Sequence, residues 1–417
     1  MSRLNVELYG VTLGTLVQAG RSVRFDVDPD VFERYPVAST VMSLAVPLGL
    51  RPTAQHNKRA ANFFNELLPE GRNLQWLVQM MPPDERNTYH LLRKYGRDSV
   101  GALIIYDPDD PVSSEQPRAE KISAEQTRSL LENMAQEPLA NSPISGKTSL
   151  GGMQGKIVLA KKGDSWHRVH YGYPSTHILK PVAPEYPTMI FDEAFCMQLA
   201  LKLGLTTHPV WIEDFDGLSA LVIERFDRDK NIPLGRIHQE DFNQVLGASG
   251  DQKYQEIGGK VSAKRMAQTL MHFGSDEDVR VFASQLVFAV AIGNLDMHAK
   301  NISIFHHPDS TISMTPTYDQ VPLRHLNTDG KMALAMNGEY VHANITRTKI
   351  VSELRSWKSP SFPSDKTADQ FVEEVLISCR EALGSLTLDN RANNSLKESI
   401  ASFINNLLSG KPAGKCM

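Results

Sequence analysis

Residues 293–305 read GNLDMHAKNISIF. Asp296, His298, Lys300 and Asn301 fall within six positions, directly before an apolar alternation that predicts a strand. A loop needs only one or two polar residues to satisfy its backbone. Here an acid and a carboxamide stand five positions apart, with a strand to hold the second. That is the spacing of a phosphoryl-transfer site, D-x-x-x-x-N, in which a carboxylate orients the attacking hydroxyl and accepts its proton while an oxygen ligand holds magnesium nearby.

Such a site needs a second carboxylate to bridge metal and nucleotide. Asp319 in MTPTYDQ, 18 positions after Asn301, stands where a metal-binding aspartate of that kind is expected. Lys300 is placed to donate to phosphate, and His298 reads as a structural brace of the loop rather than a proton donor. Taken singly, Asp296 is also what a loop or cap aspartate looks like, and Asp319 a turn former before Pro322.

Upstream, the strand LSALVIERF (218–226) runs into Asp227 and Arg228, at the position where a kinase hinge presents backbone groups to adenine. Before it, FDEAFCMQLALKLGL (191–205) predicts a helix, with acids in its first turn, an apolar face of Phe195, Leu199 and Leu203, and Gly204 as the C-terminal stop. Glu193 fits the helix partner of Lys180, which ends the strand THILKPV (176–182). The plainer readings are a solvated strand-end lysine and acids that favour the helix dipole by ~0.3 to 1 kcal/mol.

Earlier still, EPLANSPISGKTSLGGMQGK (137–156) is small and glycine-rich. Gly146, Gly151, Gly152 and Gly155 would let backbone N–H groups approach phosphates, although a mobile surface loop has the same composition. It is not a Walker A loop, since Leu150 stands where glycine is required and Ile157 where Ser or Thr is. One short hairpin, IVLA to THILK, is expected to carry Lys180 beneath this loop. Glycine loop, strand lysine, helix glutamate, D-x-x-x-x-N and metal aspartate thus come in kinase order.

Over 417 residues, this series implies more than one packed unit. The reading is α+β: a two-lobed protein-kinase-like core with a mixed N-lobe and a mainly helical C-lobe, preceded by a small β/α accessory subdomain. The boundaries are 1–106 for the accessory subdomain, 107–139 for a linker with a helix, 140–235 for the N-lobe and 236–417 for the C-lobe. Alternation at Leu4, Val6, Leu8 and at Val23, Phe25, Val27 predicts strands in the first part. Ser123 and Gln126 occupy capping-box positions of the linker helix.

A net charge of −4 provides no general attraction to nucleic acid or anionic lipid. Cys196, Cys379 and Cys416 are scattered, without metal-ligand spacing, and read as reduced thiols of a cytoplasmic protein. No apolar run approaches the ~20 residues of a membrane span, and MSRLNVELYG has no signal-peptide core.

FFNELLPEG (63–71), GRDSVGAL (96–103), TSLGGMQGK, STHILKP, ALVIERFDR, LDMHAKNISIF and TPTYDQ together resemble the HipA-type serine/threonine kinase toxins of bacterial toxin–antitoxin pairs, over nearly the whole chain. The resemblance implies that Ser149 is the autophosphorylated serine, and that Gly151, Gly152, Gln154, Lys180 and Lys300 contact the nucleotide. It further implies that backbone groups from Glu224 to Phe226 hold adenine, that Asp296 is the base and that Asn301 and Asp319 hold Mg2+. ATP is the implied phosphoryl donor. A HipB-type helix-turn-helix antitoxin that carries the kinase to operator DNA is the implied partner, and a translation protein, an aminoacyl-tRNA synthetase, the implied substrate.

One departure stands out: the family often has an acid before the loop lysine, whereas Gly155 precedes Lys156 here. Two other readings stay open on the sequence, a small-molecule kinase that shares the D-x-x-x-x-N logic and a non-catalytic antitoxin-binding corepressor with a kinase-like fold.

Overall fold

The computed structural model describes residues 3–110, 115–142, 144–151, 154–229, 231–232 and 235–414. It forms two compact units: Met1–Pro181 with Glu213–Glu240 and Phe305–Ser310, and Val182–Ile212 with Asp241–Ile304 and Thr311–Met417.

The first unit opens with an antiparallel meander, β1 (Arg3–Leu8), β2 (Val11–Ala19) and β3 (Ser22–Val27), joined by β4 (Ile104–Tyr106) in the order β3-β2-β1-β4. The alternating Leu4, Val6 and Leu8 are fully buried, as their period demands. They pack with Phe63 and Phe64 of helix α1 (Ala54–Glu66) and Leu77 of α2 (Gly71–Gln79), while α3 (Thr88–Tyr95) adds Leu91, Leu92 and Tyr95 to the same core.

A six-stranded sheet follows, built from β5 (Arg118–Lys121), β6 (Ile157–Lys162), β7 (Ser165–His170), β8 (His177–Pro181), β9 (Val210–Phe215) and β10 (Leu218–Glu224). Its order is β5-β7-β6-β8-β10-β9. Two details differ from the sequence expectation. Arg118–Lys121, inside the stretch read as linker, pairs with β7 before helix α4 (Ala124–Glu132) begins behind its Ser123–Gln126 capping box. The connection from IVLA to THILK is not one hairpin, because SWHRVH forms β7 between them and β6 is flanked by β7 on one side and β8 on the other. The polar look of that strand concealed it; Trp166, Val169 and His170 are its buried residues.

The second unit is mainly helical: α5 (Met189–Lys202), α6 (Phe242–Val245), α7 (Ala263–Phe273), α8 (Asp276–Ile292), α9 (Arg347–Ser356), α10 (Asp365–Gly384) and α11 (Leu396–Leu408). Its short strands include β13 (Ile312–Met314) and the hairpin of β14 (Lys331–Met336) and β15 (Glu339–Val341); β11 (His238–Asp241) and β12 (Ser303–His306) lie where the chain passes between units. Helix α8 is the axis of the bundle. Phe282 stacks on Trp357 with centroids 5.3 Å apart, and its last seven residues, from Leu286 to Ile292, are all buried. Burying both faces of a helix is what its unbroken apolar run requires.

Candidate active site

Helix α8 delivers the catalytic stretch. It stops at Gly293, whose φ of +70° is the left-handed C-terminal cap and whose absent side chain would meet Arg324 Cγ at 2.6 Å, so only glycine fits there. The chain then turns through Asn294, and the Asp296 amide donates to Asn294 Oδ1 at 2.9 Å.

Asp296 keeps 44% of its side chain exposed. Its Oδ1 accepts from the Tyr254 hydroxyl at 3.0 Å, and the nearest His298 nitrogen stands 3.8 Å from Oδ2, beyond hydrogen-bond range. His298 is buried, with its ring edge-on to Tyr254 at 5.3 Å. Asn301 Nδ2 donates to the Asp296 carbonyl at 2.9 Å. That bond fixes the carboxamide through its nitrogen; its oxygen, of the type that ligates hard cations, has no hydrogen-bond partner among the described residues.

Asp319 is drawn to the same loop by its neighbours. The Tyr318 hydroxyl donates to the Lys300 carbonyl at 2.9 Å and lies 2.5 Å from Ser303 Oγ, while Asn294 Nδ2 donates to Gln320 Oε1 at 3.1 Å. Asp319 itself has φ of +54°, a left-handed backbone in a residue that is not glycine. Such conformations cost of order 1 kcal/mol and concentrate where a side chain must be aimed. Among the described residues no group of three or more His, Cys, Asp or Glu side chains could hold a metal. One carboxylate plus one carboxamide is a partial shell, of the kind that phosphate oxygens and water complete.

Glu193, also in this unit, is fully buried on α5. Only Asp192 lies in the first turn of that helix, and it is occupied structurally: it accepts from Thr188 Oγ1 and the Asn393 amide, each at 2.7 Å, and lies 3.3 Å from His325 Nε2. The helix-dipole explanation therefore applies to Asp192 and not to Glu193.

In the first unit, Lys180 lies on β8, the third strand after the glycine-rich stretch, with 5% exposure, which removes the solvated reading. The register Ile157↔Leu179 sets it beside the start of β6, where Lys156 Nζ donates to the Gly151 carbonyl. Ser149 is fully buried. Its hydroxyl donates to the Leu67 carbonyl at 2.8 Å and its amide to the Asp98 carbonyl at 3.0 Å. Leu150 joins the core of the first sheet, so the segment before Gly151 is anchored. Gly151 has open space around a would-be Cβ, and the Gln154 carbonyl accepts from Asn73 Nδ2 at 2.8 Å. Gly152 lies outside the described residues. At Gly155 a Cβ would stand 3.0 Å from Met134 Cε, so methionine fills the space that an acid would need.

Glu224 is the last residue of β10 and faces His177 of β8. The Arg225 amide donates to the Thr176 carbonyl at 2.9 Å, which continues the β8–β10 pairing past Glu224. The Phe226 ring packs on Phe305, 5.8 Å away. The side chains of ERFDR do something the sequence does not display. Arg225 clamps Asp227 with bonds of 2.9 and 2.8 Å, and Arg228 donates to Asp98 at 2.9 Å, with Arg236 3.6 Å from the same carboxylate. Gly101, at φ +76°, donates to Asp227 at 2.7 Å, where a Cβ would meet His238 Nδ1 at the same distance. Burial works to raise the Asp98 pKa, yet Arg228, Arg236 and Arg225 hold it below the usual carboxylate range.

Comparisons with known proteins match this arrangement. The HipA-like C-terminal domain family matches residues 148–383 and the HipA N-terminal domain family residues 4–106. The chain belongs to the HipA family. Membership of the HipA family makes it an enzyme of the protein serine/threonine kinase class. It is 31% identical over 288 residues to the putative kinase Y4mE of Sinorhizobium fredii, covering 67% of each chain. It is 28% identical over 340 residues to the serine/threonine-protein kinase toxin HipA of Shewanella oneidensis, covering 76% of each. Among solved structures, the complex of Shewanella oneidensis HipA with HipB and operator DNA matches at a TM-score of 0.76 and 24% identity, over 97% of this chain and 96% of that one, so the α+β kinase-like fold holds.

Tyr254 and Tyr318 are the residues that motif spacing missed in this HipA-family site. Tyr318 stood in the quoted TPTYDQ, one position from Asp319; Tyr254 lies 42 residues before Asp296, in a segment without period or motif.

Proposed function

We propose that this HipA-family chain is an ATP- and Mg2+-dependent protein serine/threonine kinase, the toxin of a cytoplasmic toxin–antitoxin pair, that autophosphorylates on Ser149 and phosphorylates a translation protein of the aminoacyl-tRNA synthetase class. Its partner is a HipB-like helix-turn-helix antitoxin, through which it reaches operator DNA. The observation that carries the reading is the half-exposed Asp296 carboxylate, braced by Tyr254, on a loop that Asn301 locks through the Asp296 carbonyl.

In this mechanism Asp296 aims the acceptor hydroxyl and takes its proton as the oxygen bonds to the γ-phosphorus of ATP and the bond from that phosphorus to the ADP oxygen breaks. Lys180 and Lys300 supply positive charge to the phosphate oxygens, and Gly151, Gly152 and Gln154 are assigned to nucleotide binding. The adenine is held by backbone groups of Glu224 and Phe226. Asn301 and Asp319 would hold Mg2+, which fits a fixed carboxamide oxygen and a single carboxylate; when bound, it neutralises charge on the transferred phosphoryl group. A phosphate on Ser149 adds nearly two negative charges beside the glycines that receive nucleotide phosphates, and so weakens ATP binding.

The test is intact mass and peptide mapping after incubation with Mg-ATP. Phosphate on Ser149 in wild type, absent in Asp296→Asn, is the expected result. A folded wild-type protein that gains no phosphate and binds no ATP by calorimetry overturns the reading.

A further inference from the structure

Asp296 also forms part of the wall of a pocket that lies wholly within the second unit and that the steps above do not use. The segment around Tyr254 is stitched to β14 by Gln255, whose amide donates to the Ala333 carbonyl at 3.0 Å and whose Oε1 accepts the Ala335 amide at 3.1 Å. The Ala333 amide in turn donates to the Leu295 carbonyl at 2.8 Å. Between these elements lies a cavity of about 220 Å3. That is below the ~300 to 1,000 Å3 of small-molecule sites, and is the volume of about seven waters at ~30 Å3 each. It suits one long side chain rather than a nucleotide or metabolite.

The lining has two characters. Leu295, Leu323 and Met332 make apolar walls, and the charged residues are Glu256, Asp296, Asp329 and Lys331. Lys331 Nζ is held by Glu256 at 2.7 Å, and that pair cancels. Asp329 accepts the Lys331 amide at 3.0 Å, and no cation among the described residues lies within ion-pair range of it. With Asp296 counted, the lining carries a net charge of −2, three acids against one lysine.

We propose that this pocket receives a lysine or arginine side chain flanking the acceptor serine or threonine of the protein substrate. The inference rests on the kinase reading, because Asp296 must touch the acceptor hydroxyl. In an extended acceptor chain, residues two apart point to the same side, ~6.6 Å along the strand, so the flanking side chain enters beside the one that reacts. The apolar walls take the aliphatic stem of such a residue and the unpaired Asp329 its head group. The chain's own proposed acceptor has this form, with Lys147 two positions before Ser149.

The probe is a degenerate serine-peptide library with Lys, Arg, Leu or Glu fixed at each of the positions flanking the acceptor, incubated with labelled Mg-ATP and wild type, Glu256→Lys or Asp329→Lys. Both substituted residues are exposed, so the fold survives. Peptides with Lys or Arg should react about fivefold faster than those with Glu, the scale of one partly screened charge pair, and Asp329→Lys should erase the preference through KM. A preference for Leu, no preference, or one unchanged in both variants overturns the proposal. So does a wild type that phosphorylates Ser149 but no peptide, an outcome that leaves the kinase reading standing. Failure of both phosphorylation and ATP binding removes the kinase reading and this inference with it.

Discussion

Two groups of charged residues use the same chemistry in opposite ways. In the first unit, Asp98, Arg225, Asp227 and Arg236 are at most 3% exposed, and every charge faces an opposite one. In the second, Asp296 accepts from the Tyr254 hydroxyl and keeps 44% of its side chain exposed. The first arrangement is enclosed and can only support; the second is open to solvent and so to a reactant. A buried pair costs several kcal/mol when one partner is removed, whereas a half-exposed carboxylate contributes little to folding.

Asp296→Asn is the sharpest way to break this contrast. Phosphoryl transfer should fall about 10²- to 10⁴-fold, the range of a general base, with stability unchanged within about 0.5 kcal/mol. Mass mapping of Ser149 and a urea melt read the two effects; a large loss of stability would erase the distinction between regions. Asp98→Ala should do the reverse and destabilise by about 3 to 5 kcal/mol by leaving Arg225, Arg228 and Arg236 to share the single buried carboxylate of Asp227. A melting midpoint close to wild type would show that the cluster is not structural.

Acid offers a graded version. Burial pushes His238 down to about 3 and His177 and His342 to about 4, so each is neutral in the fold at neutral pH. The unfolded imidazoles take up protons below about pH 6.5 while the folded ones do not, so stability present above 6.5 is lost progressively as the pH falls toward 4. Asp98 and Asp227, held below the usual carboxylate range, add their loss only below about pH 4. Denaturation midpoints at pH 7.5, 6 and 5 should decline, and less steeply in His238→Gln; a flat series contradicts this. The smallest effect is expected of Tyr254→Phe, which removes one hydrogen bond from a partly solvated carboxylate: transfer should slow about fivefold, with ATP affinity unchanged. Wild-type rates would mean that Asp296 needs no brace.

The contrast also explains what the sequence could display. Asp296 and Asn301 are legible because their geometry is local, five positions on one turn, and β1 is legible because alternation maps directly onto burial. Arg225 and Asp227 look like a charged strand exit because composition does not separate a solvated charge from a buried pair, and Arg228 has its partner, Asp98, 130 positions away. Tyr254 is hidden for the same reason of distance. The strand β7 was lost because SWHRVH has no apolar alternation: Trp166 and Val169 are its only apolar residues, and they stand three positions apart.

The left-handed backbone of Asp319 has a consequence for selection in the laboratory. Glycine would relax that position by roughly 1 kcal/mol, and in doing so would delete the carboxylate assigned to the metal. Screening this protein for heat tolerance alone would therefore enrich substitutions that silence it, and the most robust survivors of such a screen would be inert.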